Sequence, residues 1–335
     1  MMKNQEKQYI SFPLILILLL GINLSAQTNI IFDTDFGGDA DDLGALAMLN
    51  HFQNKGECDL LAVMCWSTEK YAVSAIDAVN TFYGNGAIPI GRRAEEVQIT
   101  EWNHTKVLSD NLPHDTSYEK ATESTKLYRR LLAEATDKSI TLVTVGPLLN
   151  IKRLLDSKAD DRSPLDGQKL IEAKVKEVVI MGGQFPEGER REWNFDGNMV
   201  GVTKDVLKKI QAPITFLGYE IGVDLKTGEV FNDLPKESPL YLGFYHFSKY
   251  APWLNHQFKG KIYDNSTYDQ TAVLYAVRDG VGDYWTRSEN GICIPDDTGR
   301  NTWEISEGSN QTYLMLNWPK QKMESEIEKF MLGKF

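Results

Sequence analysis

Ile30-Ile31-Phe32-Asp33-Thr34-Asp35-Phe36-Gly37-Gly38-Asp39-Ala40-Asp41-Asp42-Leu43-Gly44-Ala45-Leu46 is the stretch from which the fold is read. A short apolar run leads into five carboxylates within ten residues, Asp33, Asp35, Asp39, Asp41 and Asp42. An apolar pattern of helical period follows. Two carboxylates held ~4 Å apart repel by about 1 kcal/mol in water and by about 4 kcal/mol at an effective dielectric of roughly 20. Such a cluster at the mouth of a strand needs an offsetting charge, and a hard divalent cation with oxygen ligands supplies one. The stretch predicts a strand, a metal-binding turn and a helix in succession.

Working outward, apolar runs at Ile30–Phe32, Leu60–Cys65, Ile140–Val145, Val178–Met181 and Ile214–Leu217 read as strands. Helical patterns lie at Leu43–Gln53, Val73–Tyr83, Tyr118–Ala135, Leu148–Leu155, Lys204–Ile210 and Gln270–Val277. This alternation predicts an α/β fold, Rossmann-like, with a mostly parallel central sheet and helices on both faces. Ligands of such sheets sit beyond the carboxyl ends of the strands, where the acidic cluster lies. No repeat, low-complexity tract or linker interrupts residues 27–335, which read as one domain; Asp160–Gly167 reads as a surface loop. Ser238–Tyr268 is crowded with aromatic residues. The packing of an ordinary helix explains them, and a stacking wall over a flat ligand is the alternative.

The 335 residues carry 36 Lys and Arg against 47 Asp and Glu, a net charge of −11. An acidic surface repels nucleic acid, which excludes it as a partner and favours a neutral small molecule. The hydrophobic and charged fractions, 42% and 25%, are those of a globular protein rather than a disordered one. Residues 1–26 stand apart. Lys3 and Lys7 precede an apolar stretch from Phe12 to Ile22, and Leu24-Ser25-Ala26 offers a cleavage site after Ala26. That order predicts a cleavable signal peptide and export, to a periplasm, with no membrane association afterwards. The apolar stretch is short of the about 20 residues a membrane span needs. Cys58, Cys65 and Cys293 are odd in number and show no metal-ligand spacing, so they read as buried small hydrophobes.

Four segments end an apolar strand with polar groups able to converge: the Asp33–Asp42 cluster; Thr144-Val145-Gly146-Pro147; Met181-Gly182-Gly183-Gln184 with the following Glu192-Trp193-Asn194; and Tyr268-Asp269 ahead of an apolar helix. In this order they resemble the inosine–uridine-preferring nucleoside hydrolases over essentially all of the chain after the signal peptide. The Asp signature is a longer form of that family's, with two extra residues before the final pair. The resemblance implies a calcium-dependent hydrolase that releases ribose and a free base from ribonucleosides. Asp35, Asp42, Asp269 and the Val145 carbonyl would hold Ca²⁺, with Asp35 also the general base on a water. Asp41, Glu192 and Asn194 would grip the ribose hydroxyls, and Asp33 would fix the loop from behind. It further implies a homodimer or homotetramer. The chemistry is coherent on independent grounds: N-glycosidic cleavage passes through an oxocarbenium-like state, which needs negative charge around the sugar and a positioned nucleophile.

Two departures stand out. Many family members place a His immediately before the last metal-binding Asp, where it helps the departing base accept a proton. Here that position is Tyr268, the candidate catalytic residue beside Asp35, which could donate a proton to the base or stack on it, although an ordinary pKa of about 10 makes it a reluctant acid. The Asn often found after the second strand is missing from Cys65–Lys70, where Ser67 or Glu69 would be weak substitutes. Elsewhere bland readings hold. Asp39 reads as solvating the longer loop, and His104 and His114 as loop or surface residues, or else proton donors near the base. His246 and His256 belong to the aromatic segment, Asn80 packs or caps in a helix, Trp193 packs behind its polar neighbours and Met181 is core. Two other classes share features with this chain. Haloacid-dehalogenase-like phosphatases also place Asp-x-Asp after a strand, with Asp33 as nucleophile and Asp35 as acid, but have no use for Asp41-Asp42 or Glu192-x-Asn194. An exported nucleoside- or ribose-binding protein with a retained metal site is the remaining alternative.

Overall fold

The computed structural model describes residues 27–335; the segment read as a signal peptide lies outside them. The strands are β1 (Thr28–Thr34), β2 (Cys58–Cys65), β3 (Ile90–Arg92), β4 (Thr122–Glu123), β5 (Ile140–Thr144), β6 (Val175–Met181), β7 (Ile214–Leu217), β8 (Lys226–Thr227), β9 (Asn265–Ser266), β10 (Trp285–Arg287), β11 (Gly291–Pro295), β12 (Asn301–Ile305) and β13 (Gln311–Leu316). The main sheet runs β12-β11-β13-β7-β6-β5-β1-β2-β3-β4, with β10 also paired to β13. Every neighbour from β13 to β4 is parallel, and only the pairings among β10 to β13 are antiparallel. The predicted α/β class and mostly parallel sheet are thus observed, as a mixed sheet.

The helices are α1 (Asp41–Lys55), α2 (Ala72–Phe82), α3 (Thr105–Asn111), α4 (Ser124–Glu134), α5 (Leu149–Asp156), α6 (Gly167–Lys174), α7 (Trp193–Asp196), α8 (Val202–Lys209), α9 (Tyr219–Gly222), α10 (Pro239–Tyr250), α11 (Asp269–Arg278) and α12 (Lys320–Met331). Alternation along each strand divides its apolar side chains between two cores. Ile30 and Phe32 pack with α1, α2, α10, α11 and α12 on one face. Ile31 packs with α4, α5, α6 and α8 on the other. This is why β1 is a continuous apolar run rather than an alternating one. No helix of the described residues is long and apolar enough to cross a membrane. The three cysteines are buried and unpaired, in keeping with their reading as small hydrophobes.

The helical reading of Tyr118–Ala135 needs correction. Thr122 and Glu123 pair with β3, and the helix starts only at Ser124. The Glu123 carboxylate accepts the N–H groups of Thr125 and Lys126, which caps the helix and stops it from extending backwards. The sequence reading also missed β3, too short for a periodic signal, and the antiparallel strands after residue 284. In the segment Ser238–Tyr268, α10 buries Leu240, Phe244 and Phe247 in the core, so helix packing explains part of its aromatic content, while Trp253 and Tyr268 line the cavity described below. Phe32 is wholly buried at the centre of the sheet. Phe32→Ala is expected to lower unfolding stability by about 3–5 kcal/mol. Urea denaturation measures this, and a loss under about 1 kcal/mol would show that the β1 core collapses around the deletion.

Candidate active site

Two helix N-termini meet at the carboxyl end of the sheet. Asp41 and Asp42 occupy the first turn of α1, and Asp269 opens α11. Gly44 lies against Gln270 with no room for a side chain, which lets the two helices approach closely. One carboxylate oxygen from each of Asp41, Asp42 and Asp269 falls within 4.8 Å of the other two, and all three residues are buried. Asp42 also accepts a hydrogen bond from the Thr34 hydroxyl at the end of β1. First-turn carboxylates gain from the partial positive charge of a helix N-terminus, which offsets part of their mutual repulsion.

Asp35 reaches the same cavity from the turn after β1, and the Trp193 indole Nε1 donates to it at 2.8 Å. The turn after β5 passes close behind. A Cβ on Gly146 would lie 2.9 Å from the Asp35 backbone nitrogen and from its Cβ, so only glycine lets Val145 come alongside. The Val145 carbonyl and the Met181 carbonyl both accept from Asn194 Nδ2, at 2.8 and 3.0 Å. Asn194 therefore ties the ends of two neighbouring strands together. Glu192 caps α7 and accepts three backbone N–H groups, from Gly183, Asn194 and Phe195, at 2.9 to 3.0 Å. Its carboxylate holds the Gly182-Gly183 turn in register with α7 as well as facing the cavity.

The cavity is about 760 Å³, within the range of small-molecule sites. Asp35, Asp41, Asp42, Val145, Glu192, Asn194, Tyr268 and Asp269 all line it, although they come from four separated parts of the sequence. Asp33 does not. Its carboxylate points to the other face of the sheet, where Tyr128 donates at 2.7 Å and Asn150 at 3.1 Å. That fixes the end of β1 from behind and leaves Asp33 no access as a phosphatase nucleophile.

Several residues stand differently from their bland readings. Trp193 is 45% exposed and lines the cavity rather than packing behind its neighbours. Asp39 also lines it and accepts from Asn265, so it does more than solvate a loop. His104 is buried edge-on against Phe36 with neither ring nitrogen bonded, and burial pushes its pKa down to about 3. It is neither a surface residue nor a lining one. Ser67 and Glu69 line the cavity, with Glu69 held by Thr105 at 2.6 Å. The sequence reading missed Trp66, Arg93, Trp102 and Tyr219. Trp66 and Tyr219 follow recognised strands directly, a positional signal that was available. Arg93, stacked 4.3 Å from the Trp66 ring centre and paired to Glu95, follows a strand too short to read.

Burial and mutual repulsion hold Asp41, Asp42 and Asp269 well above the usual carboxylate range. Burial raises Asp35 to about 6 against the opposing Trp193 hydrogen bond. It raises Asp33 and Glu192 to about 7. An all-oxygen set of buried, mutually repelling carboxylates beside an oriented carbonyl fits a hard cation such as calcium. A group whose pKa is raised by folding adds stability that is complete below its unfolded value, about 4 here, and is lost as pH rises through the folded value. The cluster therefore destabilises the cation-free fold from about pH 4 to pH 7 and beyond. Neutral, buried His104 works in the opposite sense, so the shift caused by calcium is the cleaner readout. Calcium is expected to raise the melting temperature of chelator-treated protein more at about pH 7.5 than at about pH 5. Equal shifts, or none, would show that these carboxylates do not share a cation.

A model of the family described as inosine-uridine preferring nucleoside hydrolase matches residues 30–319. No curated protein matches the sequence significantly. Among solved structures, a purine-preferring ribonucleoside hydrolase from Gardnerella vaginalis is similar in fold at 15% identity, with a TM-score of 0.65 over 92% of this chain and 99% of that one. An inosine-uridine preferring nucleoside hydrolase from Bacillus anthracis shares 17% identity, with a TM-score of 0.62 over 92% and 100%. A plant nucleoside hydrolase shares 16%, with a TM-score of 0.64 over 91% and 98%. With the family match spanning nearly the whole described chain, and Asp35, Asp41, Asp42, Glu192 and Asn194 lining one cavity, the chain belongs to the inosine-uridine preferring nucleoside hydrolase family.

Proposed function

We propose that this chain hydrolyses the N-glycosidic bond of ribonucleosides, releasing ribose and a free base, with calcium as its resident ion. The observation that carries this reading is the convergence of Asp41, Asp42 and Asp269 in a cavity shared with Asp35, the Val145 carbonyl, Glu192 and Asn194. Calcium held by Asp35, Asp42, Asp269 and the Val145 carbonyl would acidify a water and bind the sugar diol. Asp35 takes the proton of the attacking water, a task open to a carboxylate that lines the cavity beside the cation. Asp41, Glu192 and Asn194 receive the ribose hydroxyls. One Asp41 carboxylate oxygen lies within 4.8 Å of one from Asp42 and one from Asp269, a closeness that supports a role beside the cation ligands. The surrounding carboxylates stabilise the positive charge that develops on the sugar ring.

Export and oligomeric assembly belong to the same proposal. The order of charge, apolar stretch and small residue in residues 1–26 supports a periplasmic enzyme. The family resemblance supports a homodimer or homotetramer.

The test is release of base and reducing sugar from a panel of purine and pyrimidine ribonucleosides, with 2′-deoxy controls, before and after chelation. Cleavage that needs the 2′-hydroxyl, stops with chelator and returns with calcium is the expected result. Asp42→Ala and Asp269→Ala are each expected to lower the rate by at least about 10²-fold. Near-full activity in either variant would remove the assignment. Tight nucleoside binding without release over long incubation would establish the binding-protein alternative instead.

A further inference from the structure

The base end of the cavity has its own chemistry, and its reading rests on the hydrolysis proposed above. Cleavage leaves the glycosidic electron pair on the departing base, so a donor or positive charge there lowers the barrier. The His that the family resemblance leads one to expect is Tyr268. Its ring stacks on Tyr219, with centroids 5.5 Å apart and planes at 26°. On Tyr219, the Arg190 guanidinium lies 4.0 Å from the ring centre and also donates to the hydroxyl. Tyr219, Tyr268 and Arg190 all line the cavity.

Arg190 differs from the other two arginines that line the cavity. Arg93 is paired with Glu95, and Arg191 with Asp196. Arg190 has no carboxylate partner among the described residues, and its bonded partner is the Tyr219 hydroxyl. A hydroxyl that accepts from a guanidinium keeps its own proton to donate, and the charged donor strengthens that second bond.

We propose that Tyr219 is the catalytic hydrogen-bond donor to the departing base and that Arg190 is its positioning residue. The bond from sugar carbon to base nitrogen breaks, and its electron pair stays on the base. A new bond forms from that carbon to the water oxygen, and Asp35 takes the water's proton. Tyr219 donates a hydrogen bond to the base atom that gathers the charge, with Arg190 polarising its hydroxyl. A solvent proton completes the neutral base, balanced by the one Asp35 returns to solvent. Tyr268 serves as the stacked ring that holds Tyr219 in place.

The test compares kcat on inosine and uridine with kcat on p-nitrophenyl riboside, whose leaving group needs little help. Arg190→Ala and Tyr219→Phe are expected to lower nucleoside kcat by about 10²-fold and to leave the p-nitrophenyl substrate within about threefold of wild type. Arg190→Lys, which keeps the charge, is expected to recover about tenfold of the loss. Tyr219→Phe keeps the ring stack, and an unchanged melting temperature secures its interpretation. Equal losses on both substrates, or a change in KM alone, would overturn the assignment and leave the pair a structural role. Wild-type protein that cleaves neither substrate would overturn the hydrolase reading itself, a result distinct from either.

Discussion

The constraint on which this structure turns is the mutual repulsion of carboxylates withdrawn from water. Asp41, Asp42 and Asp269 are buried within 4.8 Å of one another, an arrangement no fold reaches for its own stability. Three devices make it tolerable. Each carboxylate stands in the first turn of a helix, where the backbone dipole favours negative charge. The close contact of α1 with α11 at Gly44 fixes the two helix ends against each other. The remaining imbalance is what a hard cation could offset, since a cation gains most where unpaired negative charge has already been assembled.

The rest of the site is built to hold this geometry. Glu192 spends its carboxylate on three backbone donors, and Asn194 bridges the carbonyls that end β5 and β6. These bonds tie the ends of β5 and β6 to α7, whose Trp193 in turn donates to Asp35.

The cavity is also divided in character. Its lining includes the carboxylates of Asp35, Asp39, Asp41, Asp42, Glu69, Glu192 and Asp269. Its flanks carry Trp66, Trp193, Trp102, Trp253, Tyr219 and Tyr268, with Arg93 and Arg190 among them. Paired rings at Trp102 and Trp253, and at Trp66 and Trp193, meet edge to face.

Much of this was legible in the chain. The β1 run, the Asp signature and the spacing of later strands are local patterns, and local patterns follow from backbone geometry and periodicity that any short window carries. They determined the α/β class, the parallel strands at its centre and the acidic segments that meet at the cavity. What the sequence could not decide depends on neighbours distant in the chain. Whether Asp33 or Asp35 faces the cavity follows from which face of the sheet each side chain takes at the end of β1. Trp193 becomes a partner of Asp35 only because α7 lies beside the turn after β1, and Arg190 meets Tyr219 only because the loop after β6 crosses the end of β7. Sequence carries the identity and order of such groups, but their distances are set by how the sheet and its helices pack, and it is distance that decides which carboxylates repel, which are bonded and which are left to act.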